Sequence, residues 1–144
     1  MIKIDTSKID KLVIDLKGMS KEIRSDVQKV LKNSGFNIEA RAKRNLSSNG
    51  SVKTGHLRHG IATDVGNLEV TVHTSNIKYA RGVEEGTRPH IIKAKNKKAL
   101  YWKGARHPVK SVRHPGSRAK PFLIPAFEKE IPYFVENLKE VVKW

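Results

Sequence analysis

Glu84 and Glu85, with His90 close behind them, are the only residues in this chain whose types and spacing invite acid–base or metal chemistry. Adjacent carboxylates diverge on any regular element, and nearby Arg88 offers one of them a simpler role in an ion pair or as a cap. His56 and His59 stand three apart, a spacing that gathers two imidazoles on a helix, but no third ligand follows at a familiar interval. There is no cysteine, which removes thiolate ligands, disulfides and a Cys nucleophile. Gly82 and Gly86 lack the phosphate-loop pattern with its Gly-Lys-Ser/Thr, and no serine has a nucleophile-elbow context. Tyr101-Trp102 amid lysines could stack on bases, although aromatics in a short strand more often pack in a core or a subunit interface. The residues therefore read as non-catalytic, with no cofactor and no metal.

Charge is the stronger signal. The 144 residues carry a formal net charge of +15, and between Glu85 and Glu128 eleven Lys or Arg accumulate with no acidic residue. His90, His107 and His114 fall in the same stretch. Such a segment cannot neutralise itself, so its charge meets solvent, counterions or an acidic partner. Phosphate neutralisation would suit nucleic acid. Hydrophobic content of 38% and charged content of 30% remain in the globular range. A single domain spanning 1–144 is expected, with a core of its own. The N-terminal residues lack the apolar run of a secretion signal, and no segment approaches the ~20 apolar residues of a membrane span. The reading is a cytosolic product with no membrane partner.

The elements that hold this stretch follow from periodicity. Ile2 and Ile4 suit a short strand or extended arm, and Ile9, Leu12, Val13 and Leu16 make the stripe of a first helix that Gly18 ends. Ser20 caps a second, long helix through Ile23, Val27, Leu31, Ile38, Ala42 and Leu46, with Gly35 as a kink or packing site. Alternation over residues 57–63 and 68–72 predicts a β-hairpin turning at 64–67. Ile77, Ala80 and Val83 return to helical spacing, with Gly86 placed as a left-handed cap. Residues 90–94 and 99–102 read as two short strands around a turn at 95–98. From about 103 to 120 the chain is rich in Gly, Pro, Lys and Arg, and is expected as a long extended basic loop. Pro125 suits the first turn of a closing helix carrying Phe127, Ile131, Leu138 and Val142, with Pro132 bending it or delaying its start. The fold class is α+β: N-terminal helices and a C-terminal helix packed on a small, mainly antiparallel β-sheet, with a long basic loop.

Three separated clusters combine into a more specific pattern. Thr54-Gly55-His56-Leu57-Arg58 comes first, then Tyr79-Ala80-Arg81-Gly82-Val83-Glu84-Glu85-Gly86-Thr87, then Pro121-Phe122-Leu123-Ile124-Pro125-Ala126 before the last helix. In this order they resemble the gene-product-ten-like family of tailed bacteriophages, whose members are neck and tail-completion proteins. The family pattern of Thr-Gly-x-Leu-Arg, Tyr-Ala-x-x-Val-Glu-x-Gly-Thr and Pro-Phe-Leu-x-Pro-Ala is matched at every position.

The resemblance implies a structural virion protein that joins head to tail as part of a ring of six subunits. It would act beside neighbouring neck and tail-tube proteins, with genome DNA in the lumen as a further contact. It would be assembled in the host cytoplasm and then resident in the virion. Gly55 and Gly86 are expected to supply special backbone conformations. Leu57, Tyr79, Val83 and Phe122 are expected as core or interface anchors, and Glu84 as a pairing group within the subunit or across the ring. Lys93, Lys95, Lys97, Lys98, Lys103, Arg106, Lys110, Arg113, Arg118 and Lys120 are expected to meet a partner or DNA. The rival reading, supported by charge alone, is a basic nucleic-acid-binding protein acting as a monomer or dimer.

Overall fold

A hydroxyl placed one residue ahead of a long amphipathic run begins the scaffold. In the computed structural model, which describes residues 20–51, 54–96 and 98–142, the Ser20 side chain accepts from the Ile23 amide at 3.3 Å. Helix α1 (Lys21–Ser48) starts there, and its buried face is Val27, Ser34, Gly35, Ile38, Ala42 and Leu46. The expected strand over residues 1–5 and helix over 9–16 lie outside the described residues. Gly35 serves packing: a Cβ there would meet Val70 Cγ1 at 2.3 Å and Thr63 Cγ2 at 2.9 Å, so its bare backbone lets a hairpin lie against α1.

That hairpin pairs β1 (Ala62–Val65) with β2 (Val70–His73), Ala62 opposite His73 and Val65 opposite Val70. Its register corrects the expected strands and turn. Residues 56–59 form a helical turn, α2 (His56–His59), and Asp64 and Val65 belong to β1. Leu57 and Ile61 are both buried, and their spacing of four fits a helical turn as well as alternation does. The chain reverses at Gly66–Glu69, closed by the Gly66 amide on the Glu69 carbonyl at 2.8 Å, with Leu68 at φ 55. Gln28 of α1 grips this reversal, donating to the Gly66 carbonyl at 2.7 Å and accepting from the Leu68 amide. A second tie joins Thr63 Oγ1 to Glu39 Oε2 at 2.6 Å.

Helix α3 (Ala80–Glu85) follows, and then β3 (His90–Lys93). The partner of β3 is not residues 99–102. It is β4 (Ser111–His114), antiparallel, with His90 opposite His114 and Lys93 opposite Ser111. Leu100 makes only an isolated bridge, to Val109, and a bridge between Thr87 and Ser117 closes the base. The stretch expected as a loop from 103 to 120 therefore supplies the returning strand of a β-hairpin arm. Periodicity could not reveal it, because β3 is exposed throughout and β4 is buried on neither face, so no apolar alternation is required. Strand β4 stops directly before Pro115, which has no amide to continue the ladder.

Helix α4 (Ile124–Val142) starts with Pro125 in its first turn, as expected, and continues through Pro132, which does not delay its start. It packs along α1, and the core is Ile38, Ala42 and Leu46 against Leu57, Ile61, Ala80, Phe122, Leu123 and Ala126. Fully enclosing a side chain such as Phe122, which has no exposed surface, stabilises the fold by about 1.5–3 kcal/mol. One polar cluster crosses the α1–α4 seam. Buried Glu130 accepts from Asn37 Nδ2 at 2.9 Å and lies 3.4 Å from Arg41 Nε, while the Arg41 guanidinium sits 5.7 Å from the centre of the Tyr133 ring. The fold is α+β, and the described residues form two separate two-stranded antiparallel sheets in place of the single small sheet expected.

Candidate functional site

Helix α4 has an apolar residue at its cap position: the Phe127 amide bonds to the Leu123 carbonyl at 3.0 Å, and Leu123 has no side-chain oxygen to offer the first-turn amides. The missing acceptor comes from α3. Glu84 Oε2 takes the Phe122 and Leu123 amides at 2.9 and 3.0 Å, and Oε1 takes the Ile124 amide at 2.9 Å. The carboxylate is 2% exposed and meets three backbone donors at the positive end of a helix, which compensates for its removal from water. The Lys120 amide bonds to the Val83 carbonyl at 2.8 Å, and Asn45 Nδ2 donates to the Phe122 carbonyl at 2.9 Å. The second and third sequence clusters thus lock onto one another, with Ala80, Phe122, Leu123 and Ala126 buried around the lock. Pro121 precedes it on the surface, and Pro125 occupies the first turn, where a missing amide costs nothing.

This arrangement separates the residues that had suggested catalysis. Both oxygens of Glu84 are taken by backbone amides, and Glu85 turns outward to pair with Arg81 Nε at 2.8 Å. The His90 ring stacks on His114, centroids 5.1 Å apart, and its Nδ1 lies 2.8 Å from the Arg88 carbonyl oxygen. His114 Nδ1 accepts from the Gly116 amide at 3.0 Å. His56 and His59 share the α2 turn, and among the described residues no group of three or more His, Asp or Glu gathers as a metal site.

The base of the arm is a close crossing of two backbones. Thr87 and Ser117 exchange amide–carbonyl bonds at 2.9 and 3.0 Å, and their hydroxyls lie 2.9 Å apart. Gly86 and Gly116 allow it, with φ of 76° and 90°. A Cβ on Gly116 would lie 2.3 Å from the Thr87 carbonyl oxygen, and one on Gly86 would lie 2.6 Å from that of Ser117. Gly86 caps α3 as expected and at a positive φ of 76°, but its ψ of −179° is extended and takes it out of the αL conformation. Gly55 does adopt a left-handed conformation, φ 77°, immediately before α2.

Around this crossing lies an open cleft of about 1360 Å³, walled by Thr54, Gly55, Leu57 and Arg58 on one side and by the Lys78–Arg88 and Ser117–Lys120 segments on the others. It gathers residues from all the separated parts of the motif pattern except the Pro121–Ala126 end. Arg58, Lys78, Arg81, Arg88, Arg118 and Lys120 line it, each exposed, and Glu85, already paired to Arg81, is the only carboxylate among the lining residues.

The ten cations singled out in the sequence are therefore divided. Lys93, Lys95, Lys98, Lys103, Arg106, Lys110 and Arg113 are exposed along the arm, Arg118 and Lys120 belong to the cleft, and Lys97 lies outside the described residues. Lys78, Arg81 and Arg88 were missed as contacts. Arg88 belonged to the acid-free stretch, but nothing local marks Lys78 and Arg81 as neighbours of Arg118. Tyr79 is 51% exposed beside the cleft, and Tyr101 and Trp102 are 69% and 48% exposed on the arm. None of the three belongs to the core.

A family model described as "Bacteriophage HK97-gp10, putative tail-component" matches residues 10–86 of this chain. That range contains the Thr54–Arg58 and Tyr79–Gly86 clusters and stops short of the arm and α4. No curated protein and no solved structure matches.

Proposed function

Since the chain belongs to the bacteriophage HK97-gp10-like family of tail components, we propose that it is a non-enzymatic structural protein of the virion that joins head to tail as part of a ring. The observation that carries this reading is the family match over residues 10–86. The geometry supports it: buried Glu84 ties α3 to α4, and a long arm projects with Ile91, Tyr101 and Trp102 exposed. Exposed apolar side chains beside cations are what a protein–protein contact uses. A head-to-tail interface repeated until rotation closes would make an annulus from this small chain, with six copies the expected number. The ring would sit between neck and tail-tube proteins and would be assembled in the host cytoplasm. The test is assembly without this chain. Tails should form but fail to carry heads, and adding purified protein should restore joined particles in negative-stain images. Normal particles lacking the chain would sink the reading.

The arm adds one contact to this picture. Its cations form no ion pair among the described residues, so they are free to meet the genome where it passes through the neck. Binding of duplex DNA should then fall steeply with added salt, and neutralising several arm lysines should flatten that slope. Salt-insensitive binding would remove DNA from the arm's partners and leave the ring untouched.

A further inference from the structure

We propose that the cleft at the base of the arm, distinct from the arm's own cationic surface, binds an acidic peptide segment of another virion protein. The proposal rests on the tail-component reading only for the source of that segment. Six cations from three separate parts of the chain converge on the cleft, and its single carboxylate, Glu85, is engaged with Arg81 at 2.8 Å. Arg58, Lys78, Arg88, Arg118 and Lys120 have no acidic partner among the described residues. Like charges held together repel, so their assembly in one concavity lowers stability unless an anion occupies it.

The walls are fixed before any ligand arrives. The Glu84 bonds to Phe122, Leu123 and Ile124 hold α3 against the start of α4, next to the Ser117–Lys120 wall. The Thr87–Ser117 crossing fixes the third side, and Gly55, Gly86 and Gly116 set the backbone directions. A preformed cleft spares a ligand the cost of ordering it. Tyr79 offers a half-exposed ring among the lining residues. Carboxylates on an extended chain can be met by Arg forks on both sides, the geometry in which guanidinium binding is strongest.

Shape favours an acidic peptide over the genome. The cleft is a concavity of about 1360 Å³ lined by short segments of the chain. A duplex is a stiff cylinder broader than its own ~12 Å major groove, so it meets such a concavity only across the mouth. An extended peptide is a single strand that can lie along the lining.

Fluorescence anisotropy of a labelled peptide of alternating Glu and Ala against the full chain tests this. Saturable, salt-sensitive binding is expected. Arg58→Ala with Arg118→Ala should weaken it roughly tenfold, since each exposed charge pair contributes modestly. Lys103→Ala with Arg106→Ala, on the distant arm, should change it less than twofold. Reversing the cleft with Arg58→Glu and Arg118→Glu should transfer binding to a Lys–Ala peptide; all substituted side chains are exposed, so circular dichroism should remain that of the parent. Absence of peptide binding, equal loss in the arm variant, or displacement of the peptide by a short duplex would overturn the proposal. So would cleft substitutions that abolish self-association without touching peptide affinity, which would assign the cleft to a second copy. Head joining that survives a loss of peptide binding would leave the ring reading intact.

Discussion

Glu84 is the residue on which the largest local consequence turns. Replacing it by Gln keeps the size but gives up the charge and turns an amide donor toward a backbone N–H, leaving a buried donor unsatisfied. We expect Glu84→Gln to lower stability by about 2–3 kcal/mol, read as the urea midpoint at constant slope. The neighbouring Glu85→Gln should cost less than about 0.5 kcal/mol, because that side chain is exposed. Equal losses would refute the capping role. Gly116→Ala is a second test at this scale. The φ of 90° and the Thr87 oxygen 2.3 Å from any Cβ leave the backbone no local escape. The Thr87–Ser117 bridge should open, seen as faster hydrogen exchange at the Ser117 amide with α1 protection unchanged. The sequence marked Glu84 as a pairing group but not what it pairs with, and it did not mark Gly116: a carboxylate that caps a helix starting some forty residues later has no local signature.

Among the elements, the hairpin and the arm depend on the body in opposite ways. The β1–β2 hairpin is tied to α1 through Gln28, through the Gly35 gap and through Glu39. The Lys43 hydrogen bond, then that of Thr63, holds the Glu39 carboxyl below its ordinary value of 4.5, with burial opposing them. A carboxylate whose folded value is depressed contributes stability that is complete above 4.5 and fades as pH falls through the lower folded value. Glu39→Gln should therefore lower stability at neutral pH and make it less dependent on pH below about 4.5, which urea titrations across that range would show. The arm, by contrast, exposes all of β3. Joining Lys93 to Ser111 by Asn-Gly, in place of residues 94–110, should shift the melting temperature by less than about 4 °C, the shift that roughly 1 kcal/mol produces. A large drop would mean that the arm packs on the body. Helix α1 was legible end to end because its buried residues repeat at helical spacing and Ser20 marks its start. Strand β4 was not, because an exposed strand carries no such repeat.

For the whole molecule, function is set by which surfaces are left over once the core is built. The proposed ring predicts that purified protein, or protein added to tails, forms annular assemblies by mass measurement and negative stain. The arm-shortened chain should fold yet fail to join heads. Monomeric protein that never incorporates into particles would end that account. Composition and motif order alone determined that the chain is α+β, strongly basic and patterned like a phage tail component, because charge and periodicity are properties of the chain itself. Tertiary structure decided that Glu84 is a helix cap, that the supposed loop is half of an arm, and that Arg58, Lys78 and Arg118 face a common cleft. Those facts concern residues far apart along the backbone, and only packing brings them within reach of one another.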